Sequence, residues 1–209
     1  MLKIIEKLFL KKRYVLTLTA SKELIPYDVS GYKIDILNKQ SALKSDSDFL
    51  NKNKGFIIRF GEQEWTLYAV KDALNNKLAG YYFSVAGRFI HDNFFIDFNK
   101  ALLCNAFIYP KHRKKGLYKN LIRTAHKHLY QKGFKEIFTI VEKNNKPSLH
   151  ANLSAGLEIF SVNYLIKFFG INVLSLYYKN SKLILMLTGR IFLNKIIYHS
   201  PKLTKSISE

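Results

Sequence analysis

Residues 102–156 read LLCNAFIYPKHRKKGLYKNLIRTAHKHLYQKGFKEIFTIVEKNNKPSLHANLSAG, and this stretch decides the fold. It opens with a short apolar run, Leu102 to Tyr109, which is typical of a buried central strand. From Gly116 to Lys132 the apolar residues fall on one stripe at helical spacing, which predicts an amphipathic helix. A β-branched run from Ile137 to Val141 predicts a second strand, and a short helix then continues until Gly156.

The flanking segments add strands on both sides of this stretch. Upstream, Trp65 to Val70 and Leu78 to Val85 are strand-like and are joined by a turn signal, so they predict a hairpin. Tyr14 to Thr19 is also strand-like. Downstream, Glu158 to Phe168 alternates apolar and polar residues, and Val173 to Tyr178 can return as its partner. The order of elements predicts an α/β fold, a mixed sheet with helices on its faces.

Both ends of the chain allow two interpretations. Leu2 to Leu10 has apolar residues at helical spacing with lysines around them, which predicts a first helix on the core or a helix on a membrane surface. Leu183 to Tyr198 is broadly apolar, and it predicts a helix covering the sheet or a membrane-contacting tail. Lys39 to Asn53 is polar and predicts a loop or a short helix.

Composition restricts the class of protein. The chain has 209 residues, 48% of them apolar, which excludes a disordered chain and predicts a single domain over residues 1–209. A net charge of +19 favours polyanionic partners: nucleic acid, anionic lipid or a phosphate-rich small molecule. The single cysteine, Cys104, cannot form an internal disulfide, and no Cys/His spacing suggests a metal site, so we expect a reducing compartment and no metal. The sequence predicts neither a signal peptide nor a spanning helix.

Five cations precede or begin the amphipathic helix within nine residues: Lys111, Arg113, Lys114, Lys115 and Lys119. Free backbone N–H groups at a helix start, together with the helix dipole, attract anions, and Gly116 permits a close backbone approach. The pattern predicts an anion site at this point of the chain. The alternative is a solvated basic loop or a nuclear-localisation-like run.

The same stretch resembles the acyl-CoA-binding region of the GNAT N-acetyltransferase superfamily. That family has a strand, then (Q/R)-x-x-G-x-(G/A), then an amphipathic helix; Arg113 and Gly116 match, whereas Tyr118 stands where a small residue is usual. The family's second motif is V-x-x-x-N, then a small and an aliphatic residue, then a glycine. Its matches here are Val141, Asn145, Ser148, Leu149 and Gly156, with Leu157 in the place of the usual phenylalanine. The resemblance covers about residues 60–180.

The resemblance implies a GNAT-like fold, a mixed and mostly antiparallel sheet with a splayed central parallel strand pair and flanking helices. It implies acetyl-CoA as co-substrate, with the pantetheine along Asn105 to Ile108 and the pyrophosphate on N–H groups of Lys114 to Lys119. A backbone N–H near Phe107 or Ile108 would stabilise the oxyanion that develops on the thioester. Asn145 would bond the pantetheine or tie down the following helix. The implied cofactor-binding residues are Phe107, Ile108, Arg113, Lys114, Lys115, Gly116, Leu117, Tyr118, Lys119, Asn145, Ser148 and Asn152.

An acceptor amine must be neutral to attack the thioester, so a base is expected. The candidate catalytic bases are Glu142, His91 and Asp92, with Asp97 nearby in sequence; each could instead be an ordinary polar surface group. Many relatives carry a proton-donating tyrosine seven residues after the motif asparagine, but this chain has Asn152 there. A thiolate has a low pKa and can leave without a strong acid.

Other titratable side chains receive structural interpretations. His112 borders the anion site and is expected to assist CoA binding rather than catalysis. His126 and His128 lie two apart on the predicted helix and face different sides, which does not favour a metal site. His150 is interpreted as structural, and Cys104 as a buried, inert thiol.

The resemblance thus implies an acyl-CoA-dependent N-acetyltransferase in which the amine attacks directly in a ternary complex. Among the family, the chain resembles members that acetylate amino sugars for bacterial surface polysaccharides, and a nucleotide-linked amino sugar suits the positive field. The alternative is a peripheral membrane or nucleic-acid-binding basic module without catalysis, although no nucleic-acid motif is recognised. The expected location is the cytoplasm or the inner face of the membrane, reached through Leu2 to Arg13, and a homodimer is left open.

Overall fold

The computed structural model describes residues 10–20, 22–45, 47–91, 94–168, 171–179 and 182–187. The strands, in chain order, are β1 Leu10–Thr19, β2 Tyr32–Asn38, β3 Glu64–Asp72, β4 Leu78–Ala86, β5 Phe89–His91, β6 Phe94–Ile96, β7 Lys100–Ile108, β8 Glu136–Glu142, β9 Glu158–Phe168, β10 Ile171–Lys179 and β11 Lys182–Leu187. The helices are α1 Lys39–Ala42, α2 Ser47–Lys52, α3 Lys54–Arg59, a 3₁₀ turn Pro110–His112, α4 Leu117–Gln131 and α5 Lys146–Ala155. None of the helices in these ranges is long and apolar enough to cross a membrane.

The chain separates into two compact units. One unit holds residues 19–140 and 150–158, and its strands lie in the order β8-β7-β4-β3-β2. All neighbours in this row are antiparallel except β7 and β8, which are parallel. The other unit holds β1, the end of β8 with the start of α5, and the strands β9 to β11, of which β9, β10 and β11 pair antiparallel in turn. The mixed, mostly antiparallel sheet with one parallel pair confirms the predicted fold class.

The parallel pair separates part-way along its length. Pairing of β7 with β8 runs only from Lys100 opposite Glu136 to Leu103 opposite Thr139. Strand β7 then continues to Ile108 beside β4 alone among the described strands. The backbone groups on its other edge are therefore open to an extended ligand, because strand edges present unpaired N–H and C=O groups.

Two apolar layers hold this sheet. On one side the aromatic residues of α2 and α3 pack on the hairpin, with the rings of Phe56 and Phe83 centred 4.1 Å apart and Phe56 edge-on to Trp65. A second layer comes from α4, whose stripe of Leu117, Leu121, Ile122, Ala125 and Leu129 is buried, as its spacing predicts. Gly133 ends α4 with a φ of +86°, and its N–H bonds the Tyr130 carbonyl, as expected of a glycine cap.

Two sequence predictions need correction or fall partly outside the described residues, and a third is confirmed. Leu183 to Tyr198 was expected to form a helix or tail, but its start lies in strand β11 and the rest is outside the described residues. Of the helix expected over Leu2 to Leu10, Leu10 lies in strand β1 instead, and residues 1–9 are not described. Lys39 to Asn53 contains α1 and α2, which confirms short helices there.

Candidate active site

The turn between β7 and α4 has the geometry of an anion site. Lys114 and Gly116 both have positive φ values, +61° and +77°, so the backbone bends sharply before the helix. Turns of this kind direct successive N–H groups into one concavity. No side chain caps the start of α4 within the described part of the chain. The N–H groups of its first turn therefore remain available to a ligand, and the helix dipole adds partial positive charge.

The basic side chains predicted here gather around that turn, but two of them already have partners. The Nε of Arg113 donates to the Ile108 carbonyl over 3.0 Å, which ties it to the end of β7. The Nζ of Lys115 donates to the Tyr32 hydroxyl over 2.7 Å. Lys114 is exposed, and the Nζ of Lys119 lies 6.0 Å from the centre of the Tyr27 ring. Because all four carry positive charge, the turn suits a diphosphate.

The open end of β7 carries the two predicted oxyanion residues. Phe107 and Ile108 lie beyond Leu103, the last β7 residue that pairs with β8. Between Cys104 and Phe107 the strand has one extra residue relative to β4, and Asn105 there has a φ of +52°. Such a bulge re-aims backbone groups at the rim of a sheet. The structure thus brings the strand edge and the basic turn to the same end of β7.

An aromatic and amide cluster surrounds Phe107. Its ring is edge-on to the Tyr109 ring at 5.2 Å, and the Lys52 ammonium lies 4.1 Å from its centre. The Nδ2 of Asn105 donates to the Oδ1 of Asn53 over 3.0 Å, and Asn53 is buried. These residues come from α2, β7 and the connection after α2, so their grouping had no signal in the sequence. Two of them, Asn105 and Phe107, belong to the part of β7 beyond its pairing with β8.

The two positions that depart from the family pattern contact each other. Asn152, which is fully buried, places its Nδ2 3.4 Å from the Tyr118 hydroxyl. The Tyr118 ring lies edge-on to Tyr82 at 5.9 Å, and the Tyr82 hydroxyl donates to Thr139 over 3.2 Å. Burial raises the pKa of Tyr82 well above its ordinary value, so its hydroxyl stays protonated. Thr139 is the last β8 residue paired with β7, so this hydroxyl network lies where the strands separate.

The remaining second-motif residues belong to the other compact unit. The Asn145 side chain accepts a hydrogen bond from the Ser148 N–H over 3.2 Å, and the Asn145 carbonyl accepts from Leu149. Asn145 therefore caps α5, which is one of the two roles expected of it. Glu142 is exposed at the end of β8, and its carbonyl accepts from the Asn145 N–H over 2.8 Å.

Of the other base candidates, His91 ends strand β5 of the small β5–β6 hairpin. His91 is paired with Phe94 at its tip, and Asp92 lies outside the described residues. Asp97 follows β6, where its carboxylate accepts from the Phe98 N–H over 2.9 Å and its carbonyl from Lys100. Asp97 therefore stabilises the turn into β7.

The histidines and the cysteine have packing partners. The Nδ1 of His128 lies 2.8 Å from the Tyr68 hydroxyl, and His126 stacks on Tyr130. Burial lowers the pKa of His126 to about 4, so the ring is neutral at pH 7. Cys104 is half-buried rather than buried as expected, and the loss of solvation raises the pKa of its thiol to about 12, which disfavours the reactive thiolate. No group of three metal-binding side chains occurs among the residues that the structure describes.

Two tyrosines that the sequence analysis did not single out contact the basic turn. The Tyr27 hydroxyl donates to the Gly116 carbonyl over 2.9 Å, and Tyr32 bonds both Lys115 and His112. They lie 80 to 89 positions upstream of these partners, so no local pattern connects them. The one sequence feature beside these tyrosines that indicates a turn is Gly31, which has a φ of +78° directly before β2.

Comparisons with known proteins concern the family and the fold of the chain. Residues 38–152 match the model of the Acetyltransferase (GNAT) family, and no curated protein matches the chain. The GCN5-related N-acetyltransferase from Sphaerobacter thermophilus superposes with a TM-score of 0.53 at 10% identity, covering 79% of this chain and 54% of that one. A Drosophila protein gives 0.50 at 16% identity, with 77% and 52% covered.

A third solved structure contains the GCN5-related glucosamine N-acetyltransferase region of a fungal multi-domain GH3 β-N-acetylglucosaminidase. It gives a TM-score of 0.53 at 10% identity, with 80% of this chain and 22% of that chain covered. The chain thus spans about half the length of the first two structures and about a fifth of the third. At these identities the likeness concerns the fold.

Proposed function

Because the chain belongs to the acetyltransferase (GNAT) family, we propose that it transfers an acetyl group from acetyl-CoA to a primary amine of a small molecule. The observation that carries the proposal is the alignment of two features at one end of β7. An open strand edge from Asn105 to Ile108 leads directly to an uncapped helix start with a basic turn. A strand edge suits an amide-bearing chain, and a helix start suits a diphosphate.

Each binding residue has a role that follows from its place. The N–H groups of Leu117, Tyr118 and Lys119 bind the pyrophosphate, with Lys114 beside them as an exposed cation. The edge of β7 pairs with the pantetheine amides, and the N–H of Phe107 or Ile108 faces the thioester oxygen. When bound, acetyl-CoA supplies an activated acetyl group. The protein contributes alignment of the reactants and a preorganised donor for the oxyanion, both of which lower the barrier.

Proton removal from the amine is assigned to Glu142, with His91 and Asp92 as the alternative bases. Glu142 ends the strand that diverges from β7 and is exposed. The leaving thiolate also needs a proton. Many relatives carry a tyrosine as the acid at the position that is Asn152 here, and the Tyr118 hydroxyl lies beside Asn152. Tyr118 therefore donates the proton to the thiolate in this proposal. The family's usual tyrosine is replaced by one from the start of α4.

We propose amino sugars, and nucleotide-linked amino sugars in particular, as acceptors. The support is electrostatic, since a net charge of +19 attracts a substrate that itself carries phosphates. The fungal protein of similar fold is described as a glucosamine N-acetyltransferase region, which makes amino sugars the first class to assay. We further propose a cytoplasmic location. Liposome co-sedimentation of the protein with and without residues 1–13 tests the alternative, attachment to the membrane through these residues, and equal pelleting of both would exclude that attachment.

Mass spectrometry of candidate amines incubated with protein and acetyl-CoA tests the reaction. A gain of one acetyl group on a nucleotide-linked amino sugar is expected. Acetylation of other amines alone would keep the reaction and discard the acceptor. No acetyl transfer to any amine, with no calorimetric binding of acetyl-CoA, would reject the proposal.

A matched pair of glycine variants tests the binding site. Gly116 and Gly133 stand at opposite ends of α4, and both have positive φ, so a substitution strains both backbones alike. Gly116→Glu places a carboxylate at the basic turn and is expected to abolish acetyl-CoA binding. Gly133→Glu adds the same charge at the far end and should leave the dissociation constant within about twofold.

A further inference from the structure

Residues 22–32, the crossing segment, run along α4 from its last residue to the turn before it. The Gln131 side chain donates to Glu23 over 3.2 Å, at the end of the helix. Nearer the start, Arg123 donates to the Ile25 carbonyl over 3.2 Å. In the first turn, the Tyr27 N–H donates to the Asn120 side chain over 3.0 Å. The segment is thus held in register with the helix along its whole length.

Two tyrosine hydroxyls of this segment meet the basic turn at its two ends. At one end the Tyr27 hydroxyl donates to the Gly116 carbonyl over 2.9 Å, and burial raises the pKa of Tyr27, which keeps that proton in place. At the other end the Tyr32 hydroxyl accepts from Lys115 over 2.7 Å and lies 2.9 Å from the Nδ1 of His112.

The proton positions around Tyr32 follow from this geometry. A lysine ammonium can only donate, so the Tyr32 oxygen accepts from Lys115 and its own proton points to the Nδ1 of His112. His112 is only 6% exposed, and burial, followed by the charges of Lys111 and Lys115, lowers its pKa. A neutral ring that accepts at Nδ1 is consistent with these surroundings. The chain from Lys115 through Tyr32 to His112 therefore anchors the turn to a buried side chain.

We propose that Tyr27 and Tyr32 are positioning residues that hold the turn from His112 to Gly116 in its anion-binding conformation before acetyl-CoA arrives. The inference rests on the proposed function and adds to it residues outside both family motifs. The physical reason is the conformation of the turn. Lys114 has a positive φ there, which residues other than glycine rarely adopt. Without anchors the turn would populate other conformations, and apparent affinity falls with the competent fraction.

Calorimetric titration of acetyl-CoA into wild type, Tyr27→Phe, Tyr32→Phe and the double variant tests the inference. Phenylalanine keeps each ring and removes only the hydroxyl. Each single variant is expected to raise the dissociation constant about three- to tenfold, and the double variant more, since one hydrogen bond of this kind contributes about that factor. Tyr130→Phe, an exposed ring change on the same helix, is the control and should bind like wild type.

Kinetics and amide hydrogen exchange separate positioning from general stability. The KM for acetyl-CoA should rise in the tyrosine variants while kcat changes less than about twofold, and exchange of residues 113–119 in the free protein should accelerate. Unchanged dissociation constants in all three variants, with normal wild-type binding, would overturn the inference alone. An equal fall in kcat and thermal stability without faster exchange in the turn would overturn it as well. Failure of the wild type to bind acetyl-CoA would reject the proposed function itself.

Discussion

Replacing Gly116 by alanine tests the contact between the crossing segment and the turn in energetic terms. At a φ of +77° an alanine costs about 1–2 kcal/mol of backbone strain. Its Cβ would also lie 2.8 Å from the Tyr27 hydroxyl oxygen, while the nearest ring carbons are 3.7 Å away. The hydroxyl must move and gives up its bond to the Gly116 carbonyl, which adds about 1 kcal/mol. We therefore expect Gly116→Ala to destabilise the fold by about 2–3 kcal/mol.

The Tyr27→Phe background removes the clash but leaves the strain. In that background only the contacts at 3.7 Å remain, which are ordinary van der Waals distances, so Gly116→Ala should cost only about 1–2 kcal/mol. The double variant should thus be about 1 kcal/mol more stable than the sum of the two single changes predicts. Gly133→Ala, with φ +86° and open space around its Cβ, measures the strain alone.

Urea denaturation followed by circular dichroism measures all four proteins and the Gly133→Ala control. Two results would refute the reasoning. One is strict additivity of Gly116→Ala and Tyr27→Phe, which would mean that the hydroxyl is not against the glycine. The other is an equal loss of stability for Gly116→Ala and Gly133→Ala, which would mean that backbone strain alone accounts for the cost and that the clash with the Tyr27 hydroxyl contributes nothing.

Four further changes have defined outcomes. Tyr118→Phe should lower kcat with little change in the acetyl-CoA dissociation constant, and an unaltered kcat would remove it as the proton donor. Glu142→Gln should lower the rate near pH 7 with unchanged acetyl-CoA affinity, whereas a wild-type pH–rate profile would clear it of the base role. Because burial lowers the pKa of His126 from 6.5 to about 4, the unfolded chain takes up its proton first. Stability present above pH 6.5 is therefore lost by about 2–3 kcal/mol as the pH falls towards 4; His126→Asn should flatten that loss in pH-dependent denaturation. Cys104 should resist alkylation at pH 8 in the folded protein and react in denaturant, and rapid native labelling would contradict the raised pKa of its thiol.

Local patterns predicted the elements that form the site. The helical stripe of α4 and the alternation of β9 gave bounds within a residue or two of those observed, because burial on one face imposes a period on the sequence. The start of Leu183 to Tyr198 was predicted wrongly, since a run that is apolar all round has no period that separates helix from strand.

Contacts between distant residues had no such signal. Tyr27 and Gly116 are 89 positions apart, and Tyr32 and His112 are 80 apart, so only the folded chain reveals them. The pairing of Tyr118 with Asn152 is similar: each departs from the family motif at its own position, and their contact becomes visible in three dimensions. The basic turn was predicted from charge, but its anchors were not.

The crossing segment ends before residue 38, where the family match begins. A shortened protein cut at that boundary would keep every motif residue and lose both tyrosine hydroxyls. Under the proposed positioning role of Tyr27 and Tyr32, sequence change upstream of the family match would alter acetyl-CoA affinity without changing any position by which the family is recognised.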